Sequence, residues 1–293
     1  MATNSLTTRY LIPLLFVFLW STGFIGAKYG LPYAEPFTFL FVRMAIAASL
    51  LFTIALFLRV PWPEKLLDYG HVSVVGILIH GVYLGGVFYA ISIGIDAGLS
   101  ALIVSLQPLV TVILAAWWLS ESVTGLKIAG IVAGLIGVLM VVFDGGLTFK
   151  HTVPAGLLAC VFSLLAISVG TVYQKRFCSN IALLPAVCIQ FTANTVFLLI
   201  PAYHLETMQI AWAGDFIFAL SWLILALSLG AVLLLMWLIQ RGNAGEVASL
   251  FYLVPPFAAL EAWLLFNETL SGVALVGMAF CVVGVALVVR TPR

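Results

Sequence analysis

Residues 108–142 read PLVTVILAAWWLSESVTGLKIAGIVAGLIGVLMVV, and residues 255–289 read PPFAALEAWLLFNETLSGVALVGMAFCVVGVALVV. The two stretches align without a gap at a constant shift of 147 residues. Pro108 falls on Pro255, Glu121 on Glu268, Gly125 on Gly272, Gly130 on Gly277 and Gly137 on Gly284. The same register reaches outward, placing Ala97-Gly98 on Ala244-Gly245, Gly23 on Gly170 and Lys28 on Lys175. Glycines recur easily in apolar helices, so the proline, glutamate and lysine matches carry most of the weight. One register serving both ends of each half makes the chain a tandem repeat, with halves 1–146 and 147–293.

The medium in which the halves fold follows from composition. Of 293 residues, 64% are hydrophobic and 8% charged, against roughly 25% charged in soluble domains. Too few polar side chains exist to cover a water-facing surface, so the expected surroundings are a lipid bilayer. A net charge of +1 with no basic block gives nucleic acid nothing to bind. Cys160, Cys178, Cys188 and Cys281 have no CxxC spacing and are read as small hydrophobes, with neither disulfide nor metal. Arg9 followed by the apolar Leu11–Trp20 could imitate a signal peptide, but no A-x-A site follows and the pattern recurs at mid-chain.

Runs of about 20 apolar residues, enough for one membrane crossing, occur ten times. They are Tyr10–Lys28, Phe37–Leu58, Val72–Ile93, Ala97–Leu119 and Gly125–Phe143, then Pro154–Gln174, Leu183–Tyr203, Phe216–Ile239, Gly245–Phe266 and Gly272–Val289. In hydrocarbon the backbone must satisfy itself within each segment, so the runs are helices. With the N-terminus inside, Arg9, Arg59, Lys65, Lys127, Lys175, Arg176, Arg241, Arg290 and Arg293 face the cytoplasm, and only Lys28 and Lys150 the other side. That asymmetry places both termini in the cytoplasm. Five helices per half is an odd number, so the second half enters the membrane inverted. Inverted repeats place a substrate site near the midplane between the halves, and rocking them gives alternating access. The expected fold is all-α, with ten spans in two inverted five-helix repeats.

The chain resembles the ten-helix, EamA-type branch of the drug/metabolite transporter superfamily over essentially its whole length. The resemblance is carried by Trp20-Ser21-Thr22-Gly23-Phe24 with Lys28, Arg43, Ala97-Gly98-Leu99-Ser100-Ala101, and Pro108 followed by Glu121, repeated from Pro255 to Glu268. It implies a carrier of small metabolites, often an exporter of amino acids or related compounds, and the expected location is the cell inner (plasma) membrane. Ser21-Thr22 interrupts the tighter Trp-Gly pairing common in such first helices. Glu261 stands where a small or apolar residue is usual. The first helix also lacks the glutamate used by small multidrug resistance proteins, which disfavours their style of drug export.

Ionisable residues inside membrane helices suggest function, and Arg43, Glu261 and His80 are the clearest. At about 1.5 Å per residue, Arg43 and Glu261 both lie roughly 8–9 Å below the outer boundary, so an ion pair is expected. Separate groups reaching outward and a role in binding substrate are the alternatives. His80 is a candidate proton carrier, with the proton as coupling ion; a neutral histidine bonded to a helix backbone is the plainer reading.

The aromatic residues Trp20, Phe24, Tyr83, Tyr89, Tyr173, Trp237 and Tyr252, with Ser100, Ser105 and Gln107, are the expected substrate pathway. Ordinary helix packing explains each of them singly. Pro108 and Pro255 are expected as hinges within their helices. Gly130 and Gly134, answered by Gly277 and Cys281, form a small-residue face for close helix packing. Glu121 and Glu268 precede helices whose positive dipole ends they would favour.

No HExxH, paired intramembrane aspartates or nucleophile–base pair supports an enzyme, and no Walker loop supports ATP-driven pumping. A channel lacks a ring of charges, and no cofactor is expected. Few buried cations disfavour highly anionic solutes. A small amphipathic substrate such as an amino acid fits best, with drugs or other metabolites the alternative.

Overall fold

The computed structural model describes residues 11–95, 100, 103–144, 154–266 and 271–290. Its helices are α1 (Ile12–Gly30), α2 (Pro36–Phe57), α3 (Leu66–Ser92), α4 (Gln107–Trp118), α5 (Gly125–Asp144), α6 (Pro154–Phe177), α7 (Leu183–Leu205), α8 (Gly214–Arg241), α9 (244–266) and α10 (Gly272–Arg290). Six of them, α2, α3, α6, α7, α8 and α10, are long and apolar enough to cross a membrane, and shorter apolar stretches occupy α1, α4 and α5. The outer surface is apolar: Leu66, Trp117, Phe162, Ile200 and Phe218 are all exposed. The interior holds Arg43, His80, Gln107, Gln174, Gln190 and Asn194. This inversion of the soluble pattern suits a bundle whose solvent is lipid.

Helix contacts pair off under the 147-residue shift. α5 packs on α10 and α2 on α7; α1 packs on α8 and α9 as α6 does on α3 and α4. The α5–α10 seam shows how sequence makes this packing. A methyl on Gly137 would fall 2.5 Å from the Gly277 carbonyl oxygen, and one on Gly130 would fall 2.6 Å from that of Gly284. These two contacts exchange under the shift. Between them, Cys281 Sγ lies 3.7 Å from the carbonyl of its own repeat equivalent, Gly134. The small-residue face therefore joins one half to the other.

Two helices depart from regular α geometry at equivalent positions. α3 widens into a π-helical stretch at Ile77–Tyr83, and α8 does so at Leu223–Ala231. Such stretches cluster at functional sites because they re-aim side chains.

The prolines differ from expectation. Pro108 sits in the first turn of α4, just after a turn at Ser105-Leu106. Pro255 follows a 3-10 turn, Leu250–Leu253, that divides α9. At the start of a helical segment the missing N–H costs nothing, so each proline begins a segment after a break instead of bending one from within. The third helix also begins at Leu66, not Val72, because Leu66, Leu67 and Tyr69 continue its turn structure despite the polar residues between them.

Candidate functional site

α1, α2, α3 and α8 enclose a cavity of about 30 Å³ lined by Trp20, Gly23, Arg43, Tyr83, Val87 and Leu227, among others. Its walls come from both halves. Gly23 lets α8 approach: a methyl there would fall 2.6 Å from Leu227. Trp20 is held by tilted and edge-on contacts with Phe16 and Phe251. Arg43 is fully buried, and its Nε donates to Ser228 Oγ at 3.0 Å, on the π-helical stretch of α8.

Arg43 and Glu261 therefore do not form the expected ion pair. Glu261 Oε1 lies 2.5 Å from Ser21 Oγ, and among the described residues no carboxylate pairs with Arg43. Equal depth along two helices says nothing about which way each side chain points.

His80 lies on the π-helical stretch of α3, with Nε2 3.3 Å from Gln190 Oε1 and its ring edge-on to Phe191. Gln190 Nε2 in turn donates to Gln174 Oε1 at 3.2 Å. Of the expected pathway, the structure brings Trp20 and Tyr83 together at the cavity. Gln107 donates to Thr171 at 3.4 Å, Ser100 accepts from Cys160 at 3.5 Å, and Ser105 is buried nearby in sequence. Tyr89 stacks on Phe37 and Tyr252 is buried against Gly134. Tyr173 and Trp237 stand apart from the cavity: Tyr173 packs with Trp118 and Phe177, and Arg241 lies 4.7 Å over the Trp237 ring. The side chains of Phe24 and Lys28, together with residues 97–99, 101 and Glu268, lie outside the described residues.

The two ends of the bundle differ. At one end a two-way clasp joins the halves. Glu206 accepts from Phe37 N, Thr38 N and Thr38 Oγ1 at 2.6–2.7 Å, capping α2. Glu35 accepts from Thr207 N at 2.6 Å and its hydroxyl at 2.7 Å, and Ala211 N donates to the Tyr33 carbonyl at 2.9 Å. Tyr33 also donates to Asp215 at 3.3 Å, and that negative charge raises the phenol pKa above its ordinary value. At the other end a recess of about 540 Å³ is lined by Leu119, Glu121, Lys175, Arg176, Phe177 and Asn243. There Glu121 accepts from Ala244 N at 2.9 Å and pairs with Lys127 at 3.7 Å. It caps α9 of the other half; the expectation had been the helix following it.

Sequence reasoning missed Ser21, Ser228, Gln174, Gln190, Asn194 and Glu206. Gln190 was within reach, because it is the repeat equivalent of Arg43. The serines gave no signal, since small polar residues are ordinary in membrane helices.

Residues 8–143 and 154–290 each match the EamA-like transporter family. The chain is 29% identical to an uncharacterized transporter, YvbV, of Bacillus subtilis, over 96% of this chain and 92% of that one. It is 27% identical to a "Probable amino-acid metabolite efflux pump" of Escherichia coli, over 93% and 92%. A "Probable terminal-alkyne amino-acid exporter" of Streptantibioticus cattleyicolor is 30% identical over 67% of this chain and 65% of its own length. A solved crystal structure superposes with a TM-score of 0.78 at 22% identity, covering 96% of both chains, so the fold is shared.

Proposed function

Because the chain belongs to the EamA-like transporter family, and so is a multi-pass membrane transporter, we propose that it exports an amino acid or a related small amphipathic metabolite across the plasma (bacterial inner) membrane. It works by alternating access between two inverted repeats, 1–146 and 147–293, each contributing five of ten spans. Both termini are cytoplasmic, so the Glu35–Glu206 clasp is the outer gate and the Lys175–Arg176 recess the inner vestibule. The contact pairs that exchange under the repeat shift, and the two separate family matches, support this symmetry.

Arg43 is the observation that carries the substrate class. A guanidinium has five N–H donors, and burying it unpaired is costly. Ser228 takes one donor, and among the described residues the charge stays without a carboxylate at a cavity between the halves. A substrate carboxylate is the group that would complete it, in two parallel bonds. Trp20 and Tyr83 face the same space and suit an ammonium group or an apolar side chain. A volume of about 30 Å³ admits a water molecule and excludes an amino acid, so the cavity must widen when the halves rock. The names of the Escherichia coli and Streptantibioticus relatives favour amino-acid export.

The test is uptake of a radiolabelled amino-acid panel into proteoliposomes holding the purified chain, with and without an imposed proton gradient. Saturable uptake of one compound is expected. No uptake of any member would sink the amino-acid reading and turn attention to drugs or other metabolites.

A further inference from the structure

Glu261 on α9 is buried beside the cavity wall without lining the cavity. Among the described residues its Oε2 has no hydrogen-bond partner, and its Oε1 lies 2.5 Å from Ser21 Oγ on α1. The same Ser21 Oγ lies 2.8 Å from the Phe18 carbonyl oxygen. A serine hydroxyl has one proton and donates one bond. Within a helix that bond ordinarily goes back to the preceding turn, as it does from Thr22 to Leu19 at 2.7 Å and from Ser168 to Leu164 at 2.7 Å. If Ser21 donates to Phe18, the proton in the contact with Glu261 comes from Glu261. An ionised Glu261 would instead leave a charged oxygen buried without a partner among the described residues, which apolar surroundings penalise far more than the bare carbonyl oxygen of the neutral acid.

We propose that Glu261 is a proton-binding site of the transport cycle, held as a neutral carboxylic acid against Ser21 in this closed state; the proposal rests on the carrier reading above. Loading forms an O–H bond at the carboxylate with a proton from water, taking its charge from −1 to 0. Unloading breaks that bond and returns the proton to water. Trp20, the neighbour of Ser21, lines the cavity and packs on Phe251 of α9. Ionisation therefore acts on the α1–α9 contact, one residue from the Trp20 that lines the cavity.

Among the described residues, no other charge is placed to neutralise the site. The segment of α9 carrying Glu261 packs against α1, α5 and α10. On α1, Tyr29 lies about two turns away. On α5, Lys127 is engaged by Glu121 and Ser122; on α10, Cys281 faces the Gly134 carbonyl. On α9 itself, Tyr252 lies against Gly134 and Glu246 accepts from Asn243. Lys28, Asp144 and Arg290 stand near the ends of α1, α5 and α10, and their side chains lie outside the described residues.

Infrared difference spectra of the full chain in phospholipid vesicles, stepped from acid to alkaline pH, test the proton site without any substrate. The carbonyl band of a protonated carboxyl in apolar surroundings is expected in the wild type, absent from Glu261→Gln and displaced in Ser21→Ala. Superimposable wild-type and Glu261→Gln spectra would overturn the site. If Glu261→Gln does not fold, Ser21→Ala decides, and an unmoved band overturns the assignment. With the amino acid found in the uptake panel, Glu261→Gln is expected to lose the dependence of uptake on the proton gradient; a retained dependence overturns the coupling role. Failure of the wild type to take up any member of the panel counts against the amino-acid reading, and leaves the spectra to decide the proton site.

Discussion

Arg43 and Gln190 occupy equivalent positions of the two halves, and each bonds to the π-helical stretch of the opposite half. Arg43 Nε reaches Ser228 Oγ at 3.0 Å, and Gln190 Oε1 lies 3.3 Å from His80 Nε2. The scaffold is thus symmetric where the chemistry is not: one position carries a permanent charge and the other a neutral amide. Such asymmetry would orient the proposed zwitterionic substrate, whose carboxylate would have one cationic partner here and none at the equivalent place.

Arg43→Lys keeps the charge and removes the planar fork. Losing a hydrogen bond to a charged group costs about 1.5–3 kcal/mol, so the half-saturation concentration for uptake should rise roughly 10- to 150-fold. Concentration dependence of uptake in proteoliposomes measures this directly. A lysine variant with wild-type half-saturation would show that Arg43 does not hold the carboxylate.

Glu206→Ala removes three bonds from the first turn of α2, and with them half of the clasp. Helix caps are worth about 0.5–2 kcal/mol, so the share of molecules open at this end should rise roughly 2- to 30-fold. A cysteine at the cavity, Val87→Cys, reports the opening through its labelling rate with an impermeant thiol reagent. Equal rates with and without Glu206→Ala would mean that the clasp does not gate.

Glu121→Ala uncaps α9 and strands Lys127, whose ammonium is also 3.3 Å from the Ser122 carbonyl. The loss should be about 1–2 kcal/mol, seen as a lower melting temperature in detergent. Because Ala244 belongs to the other half, the same change should raise protease sensitivity at 242–243. Unaltered melting would show the cap to be dispensable.

What the sequence disclosed is position along each helix; what it withheld is direction around it. The repeat register and the small-residue face at Gly130 and Gly134 follow from spacing. These helices are apolar on nearly every side, so no polar stripe marks an inward face as it does in a soluble helix. That is why Arg43 and Glu261, at one depth, were expected to meet and instead found Ser228 and Ser21. For the same reason Tyr252 could not be assigned to α5 in advance, nor Tyr173 to the Trp118 cluster. The repeat itself held an unused clue: position 190 equals position 43, and a buried glutamine there marks the same place in the second half.

The α5–α10 seam offers a test of how tightly the halves are joined. A methyl at Gly137 would meet backbone, 2.5 Å from the Gly277 carbonyl oxygen and 2.6 Å from Cys281 N, and backbone cannot step aside as a side-chain tip can. Gly125 begins the same helix with nothing within 4 Å of a methyl. Gly137→Ala should therefore cost about 1–3 kcal/mol through overpacking, while Gly125→Ala should be neutral or stabilising by up to about 1 kcal/mol. Both exchanges remove similar freedom from the unfolded chain, so a lower stability of Gly137→Ala reports the seam. Thermal unfolding of the two variants in detergent reads that difference, and equal melting temperatures would mean that the halves are held apart at this seam.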